Sequence, residues 1–302
     1  MLGLASAFST HNTQRLPHKH GGAYFSILHS PSIQRTSTAT PIVCENSPFS
    51  ILHSPPITHY ACHTNTMVFT SPFSIYFRPM LSRLYDLLAE HLTENKRMLF
   101  DRILDERTRH VALVMEDLYQ AQNTSAIQRS AESFGIQDLH IIENKHTFTH
   151  HRRISKGSSD WLSMHRYNEP GLNNTEACIH ALKRDGYQIV VTALHEKTIA
   201  LDEVDLSKKT AVLMGTELTG ASDVAMEMAD VYMKIPTVGF TESLNVSVAS
   251  AIILQHLTHR MRIENRPWQL SEEEKLSLKI EWAKRSIYWS KYIVEMWESG
   301  EI

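Results

Sequence analysis

Short apolar runs of strand character alternate with amphipathic, helix-like segments through the central part of the chain. Helices are predicted at 123–134, with Asn123 as N-cap, and at 172–185, each followed by a glycine that ends it; a shorter one follows Gly220. Alternation of this kind predicts an α/β domain with a mostly parallel sheet. The predicted strands are Val111–Met115, Leu139–Ile142, Ile189–Leu194, Ala211–Met214 and Val231–Ile235.

The last predicted strand leads into a loop and an amphipathic helix over Ile235–Gln255. Ser243, Asn245 and Ser247 crowd the helix entry, where unpaired backbone N–H groups attract an anion. The local pattern by itself favours an ordinary core helix with Ser243 as its N-cap. The apolar face repeats at helical spacing through Val246, Ala249, Ile252, Ile253 and Leu257.

Helices are also predicted on both sides of the α/β pattern. Short ones precede the first strand, and Ser271 and Glu274 have the spacing of a capping box at the start of a helix that runs to about Trp297. The predicted domains are therefore an α/β domain over 80–262, with its short N-terminal helices, and a C-terminal helical extension over 263–302.

Residues 1–79 differ in composition from the rest, being rich in Ser, Thr, His and Pro with almost no acidic residues. The sequence FSILHSP occurs at Phe25–Pro31 and again at Phe49–Pro55. Because the repeats contain proline and lack a helix or strand period, a disordered extension is predicted. A transit segment, or a translation start at Met67 or Met80, is the alternative.

Charge and cysteine content narrow the functional classes. A net charge of −3 means that nucleic-acid binding would need a local basic patch. Cys44, Cys62 and Cys178 lie far apart and form no metal-ligand pair or disulfide framework, which fits a reducing compartment. No apolar run is long enough to span a membrane. Candidate phosphate contacts, which solvated helix and loop surfaces would equally explain, are Arg102, Arg107, Arg109, Arg152, Arg153, Lys156 and Arg166.

Three loops are rich in small or polar residues at positions where parallel sheets collect ligands, beyond the carboxyl ends of strands. The first contains Asn123 and leads to Arg129, and the others are Gly215–Gly220 and Ile235–Asn245. Taken singly, each is weak: the glycines suit an ordinary turn, and Arg129 suits a helix surface. The chain lacks a dinucleotide-binding glycine motif, a P-loop, a paired-histidine metal motif and a serine nucleophile elbow.

Together and in this order, the three loops resemble the motifs of the SpoU/TrmH family of RNA ribose 2′-O-methyltransferases, within the SPOUT superfamily. Asn123 followed six residues later by Arg129 is similar to the first motif, and Gly215-Thr-Glu-Leu-Thr-Gly220 to the second. The segment Ile235–Ala249 is similar to the third, with Ile-Pro-x-x-Gly followed by Ser-Leu-Asn-Val-Ser-Val-Ala.

The resemblance implies a SPOUT fold, with a deep trefoil knot at the C-terminal side of the sheet, and a homodimer whose active site lies at the subunit interface. It also implies binding of S-adenosylmethionine in the knotted loops, and a reaction that needs no metal because a sulfonium is already a good leaving group. The positions that match the cofactor loops are Thr192, Leu194, Gly215, Ile235 and Leu244.

The resemblance also implies roles for the polar motif residues. Arg129 would orient or activate the ribose 2′-hydroxyl, with an RNA phosphate as an alternative proton acceptor because a guanidinium is a weak base. Asn123 would position Arg129 or the RNA, Glu217 would hold polar partners, and Ser243 and Asn245 would line the pocket.

The order of segments resembles the tRNA branch of the family, which modifies guanosine 18 in the D-loop. A cytoplasmic tRNA 2′-O-methyltransferase is therefore predicted. The alternatives are a guanosine 2′-O-methyltransferase that acts on ribosomal RNA and a catalytically silent RNA-binding relative.

Overall fold

The computed structural model describes residues 74–302 apart from Leu194, Glu242 and Asn265, and the side chains from Arg78 onward. The predicted disorder of the N-terminal extension therefore lies outside the described residues up to position 73. The first helix, α1, spans Ser74–Ala89 and contains Pro79, so it begins within the last residues of the predicted extension. Pro79 is the sixth residue of α1 and lacks the N–H that would bond to the Ile75 carbonyl, so the helix loses one internal hydrogen bond there and continues past it.

A seven-stranded sheet forms the centre of the described region, in the order β3-β2-β1-β6-β4-β7-β5. Every strand pairing in it is parallel, which confirms the predicted α/β class. The strands are β1 (Val111–Glu116), β2 (Asp138–Ile142), β3 (Ser163–Tyr167), β4 (Tyr187–Thr192), β5 (Ile199–Ala200), β6 (Lys209–Met214) and β7 (Val231–Lys234).

The helices after α1 cover both faces of the sheet and one end of the fold. They are α2 (Glu94–Leu104), α3 (Ala121–Ser133), α4 (Arg152–Ser155), α5 (Asn174–Arg184), α6 (Asp223–Met228), α7 (Val246–Ile263), α8 (Glu272–Ser286) and α9 (Ser290–Ser299). The polar sequence at 145–167 predicts a long loop, which is wrong in part, because the segment contains α4 and the edge strand β3. A strand at the sheet edge is half solvated and carries polar residues, so it lacks the apolar run of a central strand.

Strand β1 shows how the sequence places the two layers of helices. Val111, Leu113 and Met115 pack with residues of α3 and α7, whereas Ala112 and Val114 pack with residues of α5. Side chains alternate between the two faces of a strand, so a strand buried on both faces carries a continuous apolar run. All six β1 residues are buried, and the sheet edge formed by the strands' carboxyl ends is left for ligands.

The N- and C-terminal helices pack against one another in a second core beside the sheet. Leu88, Phe100, Leu104 and Trp282 are its largest fully buried side chains. The capping box of Ser271 with Glu274 is confirmed at the start of α8. The single helix predicted to Trp297 is wrong, because the backbone is extended at Ile287 and separates α8 from α9.

Replacing Trp282 by alanine is expected to lower the free energy of unfolding by about 3–5 kcal/mol, because the indole is 1% exposed and its removal leaves a cavity. Chemical denaturation measures this change. Tyr288, which is 98% exposed in the same segment, is the matched control, and its replacement by alanine should change stability by less than about 0.5 kcal/mol. Equal effects of the two changes would contradict the packing role of Trp282.

The trefoil knot implied by the family resemblance concerns the path of the chain around β6 and β7. Strand β6 lies between β1 and β4, and β7 then pairs with the far side of β4. The trefoil knot expected in the loops around these strands stays a prediction, as do the predicted domain boundaries. Among the described residues, no helix has both the length and the apolar character needed to cross a membrane.

Candidate active site

The predicted cofactor loops begin at three neighbouring strand ends. Val191 of β4 is in register with Leu213 of β6, and Thr192 with Met233 of β7. Thr192, Gly215 and Ile235 therefore lie at one edge of the sheet, because parallel strands end on the same side. The Thr192 hydroxyl donates to the Leu213 carbonyl at 3.2 Å, which ties β4 to β6 at this edge. Leu194 lies outside the described residues.

Side chains from all three sequence motifs join in one hydrogen-bonded chain. Asn123 Nδ2 donates to Glu217 Oε1 and, at 2.9 Å, to Gln120 Oε1. Asn245 Nδ2 donates to Asn123 Oδ1 at 3.2 Å. Residues far apart in sequence thus form a single polar cluster, which we call the motif cluster (Gln120, Asn123, Glu217 and Asn245).

The local role of Asn123 differs from the predicted one. Helix α3 begins at Ala121, with Gln120 at the N-cap, so Asn123 lies within the first helical turn and is 8% exposed. Its amide is consequently free to bridge Glu217 and Asn245 and does not cap the helix. Sequence reasoning did not identify Gln120, since a glutamine before a helix carries no chemical signal of its own.

Asn245 caps α7, in place of the predicted Ser243. Its Oδ1 accepts from the backbone N–H groups of Ser247 at 2.9 Å and Val248 at 3.4 Å. Because its Nδ2 donates to Asn123 at the same time, one side chain fixes both the start of α7 and the motif cluster. Ser243 and Leu244 are exposed just before it, and Ser243 makes no hydrogen bond with the described residues.

Glu217 holds one unused acceptor. Its Oε2 is buried and has no hydrogen-bond partner among the described residues. Buried polar atoms are normally paired, because desolvation without a partner is costly. An unpaired carboxylate oxygen in a cluster of this kind suits a polar group supplied by a ligand.

The loop that presents Glu217 requires glycine at its base. A Cβ at Gly215 would lie 2.2 Å from the backbone N of Ala221 and the carbonyl carbon of Gly220. Thr216 and Gly220 exchange two backbone hydrogen bonds of 2.9 Å, which close the loop tightly. Gly220 has φ +71°, a conformation that glycine adopts without strain.

Two acidic residues at the end of β1 support this arrangement, and sequence reasoning did not assign them to the site. Glu116 is 2% exposed and accepts from the Thr175 hydroxyl at 2.5 Å and the Ser222 hydroxyl at 2.6 Å. It thereby fixes the start of α6 to α5 and β1. Asp117 accepts three backbone N–H groups from the loop after β2. The signal for both was a pair of acids directly after a buried strand.

Arg129 is on α3 but outside the motif cluster. Its side chain is exposed and makes no hydrogen bond or ion pair within the part of the chain that the structure describes. The structure therefore brings Asn123, Glu217 and Asn245 together and leaves Arg129 facing solvent.

The prediction that Arg107 contacts RNA is wrong. The side chain is 1% exposed and donates to the Ile136 carbonyl at 2.8 Å and to Glu132 at 2.9 Å. Its guanidinium also lies 5.5 Å from the Trp282 ring. Burial lowers the pKa of Arg107, with the Glu132 carboxylate acting in the opposite direction. The residue is part of the packing and is out of reach of a phosphate.

Arg109 is likewise committed to internal ion pairs, which contradicts its predicted role. It pairs with Asp138 at 3.1 Å and with Glu274 at 3.2 Å, and its side chain is 14% exposed. Burial opposes the charged form, but these two carboxylates outweigh it and raise the pKa of Arg109. Arg166 forms a two-point contact with Glu143, at 2.8 and 2.7 Å, on a more exposed surface.

The other basic candidates are exposed. Arg102 lies in the last turn of α2, and Arg152, Arg153 and Lys156 lie on or just after α4. The segment leading to α4 is tied to α3, because Ser125 Oγ accepts from the His151 N–H at 2.6 Å. Arg152, Arg153 and Lys156 therefore adjoin the helix that carries Arg129, whereas Arg102 is on a separate helix.

The described residues fit a bound S-adenosylmethionine in two respects. Gly215 lets the loop after β6 close tightly on its own backbone at the edge where the cofactor loops begin, and Glu217 offers an unpaired carboxylate oxygen. Over the same described part of the chain, no group of three or more His, Cys, Asp or Glu side chains has the arrangement of a metal site.

Comparison with known proteins agrees with this geometry. Residues 110–255 match the model of the SpoU rRNA methylase family. The chain is 37% identical over 201 residues to a tRNA (guanosine(18)-2′-O)-methyltransferase of Borreliella burgdorferi, which covers 67% of this chain and 90% of that protein. It is 34% identical over 162 residues to the enzyme of that name from Thermus thermophilus, covering 54% of this chain and 81% of that protein.

A solved structure shows the same fold. The TrmH/SpoU tRNA modifying enzyme of A. aeolicus aligns with a TM-score of 0.57 and 29% identity, over 64% of this chain and 98% of that one. The resemblance seen in the three motifs is thus confirmed by whole-domain similarity. The motif cluster at the carboxyl edge of a parallel sheet, in a chain so related, identifies the protein as a member of the SpoU/TrmH family of S-adenosylmethionine-dependent RNA 2′-O-methyltransferases.

Proposed function

We propose that the chain methylates the ribose 2′-hydroxyl of guanosine 18 in the D-loop of tRNA. The observation that carries this proposal is the hydrogen-bonded motif cluster, in which Asn123, Glu217 and Asn245 meet at the edge where the cofactor loops begin. Relatives with the tRNA guanosine-18 name match most of their own length to this chain, which supports the choice of substrate.

Within this proposal, the loops at Thr192, Gly215, Ile235 and Leu244 hold S-adenosylmethionine, which supplies a methyl group on a positively charged sulfur. The chain's own residues bind and orient the acceptor. Asn123 and Asn245 fix the position of Glu217 and of one another, so the polar edge that meets the ribose is rigid before binding.

Arg129 is proposed to orient the 2′-hydroxyl while a nearby RNA phosphate takes its proton. The residue is exposed and has no partner in the described chain, so its guanidinium is available to RNA. A guanidinium keeps its proton at physiological pH, which favours a donor role over that of a general base. Ser243 is proposed to line the same pocket.

Phosphate binding is assigned to exposed basic residues. Arg102, Arg152, Arg153, Lys156 and Arg166 remain after Arg107 and Arg109 are excluded by their internal pairs. Such contacts give affinity that depends on salt and little on sequence, so the motif cluster and its surroundings must supply specificity. We also place the enzyme in the cytoplasm, in line with its tRNA substrate.

A homodimer is part of the proposal. Leu244, just before α7, and Val248 and Ile252, in its first two turns, are spaced four residues apart and are 41%, 48% and 39% exposed. This apolar stripe adjoins Asn245 of the motif cluster, so a second subunit that covers it would also border the active site.

The double change Val248→Asp with Ile252→Asp is expected to convert a dimer into a monomer, because two charges would be buried without partners. Analytical ultracentrifugation measures the mass in solution. Leu172→Asp, at an apolar residue 62% exposed ahead of α5, is the matched control and should leave the dimer intact. A double variant that stays dimeric would place the interface elsewhere.

The test of function is methyl transfer from labelled S-adenosylmethionine to unmodified tRNA transcripts with guanosine 18 intact or replaced. Transfer that is lost on replacement is the expected result. Transfer to ribosomal RNA fragments and not to tRNA would instead favour the substrate in the family description. Cofactor binding with no transfer to either RNA would indicate a catalytically silent relative.

A further inference from the structure

A cleft of about 180 Å³ adjoins the motif cluster, and none of its lining residues belongs to the three sequence motifs except the loop after β6. We call it the β1–β2 cleft. It opens between the end of β1, the loop after β2 and the loop after β6. Its lining residues include Asp117, Tyr119, Lys145, His146 and Leu218.

Two residues that line the cleft are sequence neighbours of residues in the motif cluster. Tyr119 precedes Gln120, which accepts a hydrogen bond from Asn123, and Leu218 follows Glu217. A group bound in the cleft would therefore be next to a ribose held at the motif cluster. Ligand pockets for whole cofactors enclose about 300–1,000 Å³, so this smaller space suits a single ring system.

Asp117, one of the lining residues of this cleft, is held in an unusual conformation. It has φ +52°, which is uncommon for a residue other than glycine, and it is 6% exposed. Its Oδ1 accepts the backbone N–H groups of Asn144, Lys145 and His146 at 2.8, 2.7 and 3.2 Å. Its Oδ2 accepts no hydrogen bond from any described residue, so one oxygen of a fixed carboxylate remains for a ligand.

Flat and cationic side chains surround this carboxylate. The rings of Tyr119 and His146 lie 5.4 Å apart with a 51° tilt, and both residues are exposed. Lys145 is exposed and forms no ion pair with the described residues, and Leu218 is 82% exposed. Aromatic faces beside an acceptor and a donor are how proteins hold an unstacked RNA base.

We propose that the β1–β2 cleft binds the guanine base of the target nucleotide, with Asp117 Oδ2 accepting from its N1–H and N2 amino groups and Lys145 donating to O6. Guanine presents two adjacent donors next to an acceptor, and the other RNA bases do not. The proposal rests on the proposed function, because it requires that the substrate nucleotide be a guanosine.

The test compares tRNA transcripts that carry guanosine or inosine at the target position, since inosine lacks only the N2 amino group. The full-length wild-type protein is expected to prefer guanosine by about 5- to 100-fold in kcat/KM, the range for losing a base-reading contact. Asp117→Asn keeps an oxygen for the three backbone N–H groups but replaces the second oxygen with a donor. It should lower kcat/KM on guanosine by a similar factor and abolish the preference.

Asp86→Asn, at an exposed residue of α1, makes the same change of charge and should behave as wild type. The Kd for S-adenosylmethionine and the Tm are expected to be unchanged in both variants, which separates base reading from a purely structural role. Should Asp117→Asn fail to fold, Lys145→Ala takes its place, with an expected loss of about tenfold in kcat/KM on guanosine and none in cofactor binding.

The possible results distinguish base binding by the cleft from the proposed methyltransferase function. No transfer to the guanosine transcript by wild type would overturn both. Transfer at equal rates to guanosine and inosine, or an Asp117→Asn variant that retains the preference, would overturn base reading by the cleft and leave the methyltransferase assignment intact.

Discussion

Replacement of Arg129 by alanine is expected to lower kcat for methyl transfer by about 10²–10⁴-fold, the usual contribution of a positioned group to proton movement. Affinity for S-adenosylmethionine should remain nearly unchanged. The side chain is exposed and makes no hydrogen bond or ion pair with the described residues, so its removal disturbs neither the packing of α3 nor the cofactor loops. Single-turnover transfer to tRNA and calorimetric titration with the cofactor measure the two quantities.

Two further variants make this result specific. Arg129→Lys keeps the charge but loses the planar fork of donors, so it should recover only part of the activity. Arg184→Ala removes an exposed arginine at the end of α5, in the helix layer on the opposite face of the sheet, and should be nearly silent. Loss of cofactor binding in Arg129→Ala would mean that its role is misassigned, and full activity would exclude it from the reaction.

Replacement of Glu217 by alanine is expected to have the next largest effect, a fall in kcat/KM of about 10²–10³-fold. The change removes the acceptor for Asn123 and also the buried, unpaired Oε2. Asn123 would then lose the partner that fixes its amide, and Asn245 would lose its indirect support through Asn123. Steady-state methyl transfer to tRNA measures the effect.

Glu217→Gln separates the two contributions of this residue. Its amide oxygen still accepts from Asn123, but the second acceptor becomes a donor and the negative charge is lost. An intermediate loss of activity is expected if both the tether and the charge act on the ligand. Glu227→Gln, at an exposed carboxylate of α6, is the matched control. Wild-type activity in Glu217→Ala would show that the motif cluster is structural only.

Much of the fold follows from local sequence pattern. The central strands β1, β4 and β6 are buried on both faces in their middle part, so each contains an unbroken apolar run that is recognisable on its own. In the edge strand β3, Arg166 is exposed and the other residues are half-buried. Its polar sequence is therefore typical of a loop. The division of the terminal helix at Ile287 was also missed, because a helical apolar pattern continues on both sides of it.

The candidate site was likewise predicted from the sequence only in part. The motifs identified Asn123, Glu217 and Asn245, and the structure joins them. Sequence reasoning did not assign Asp117 or Gln120 to the site, because the groups that place them are backbone N–H groups or side chains brought close by the fold. Arg107 and Arg109 were predicted as RNA contacts because the local sequence around an arginine is the same whether it faces solvent or forms an internal ion pair.

The sequence by itself determined the α/β class, the family and the three loops that carry the chemistry, since these depend on residue types at short spacing. Only the tertiary structure decided which charged groups are free. Arg109 meets Glu274 across 165 positions, and Asn245 meets Asn123 across 122. Local periodicity reports which side chains avoid water, but the pairing of polar groups is settled by burial and by contacts between distant segments.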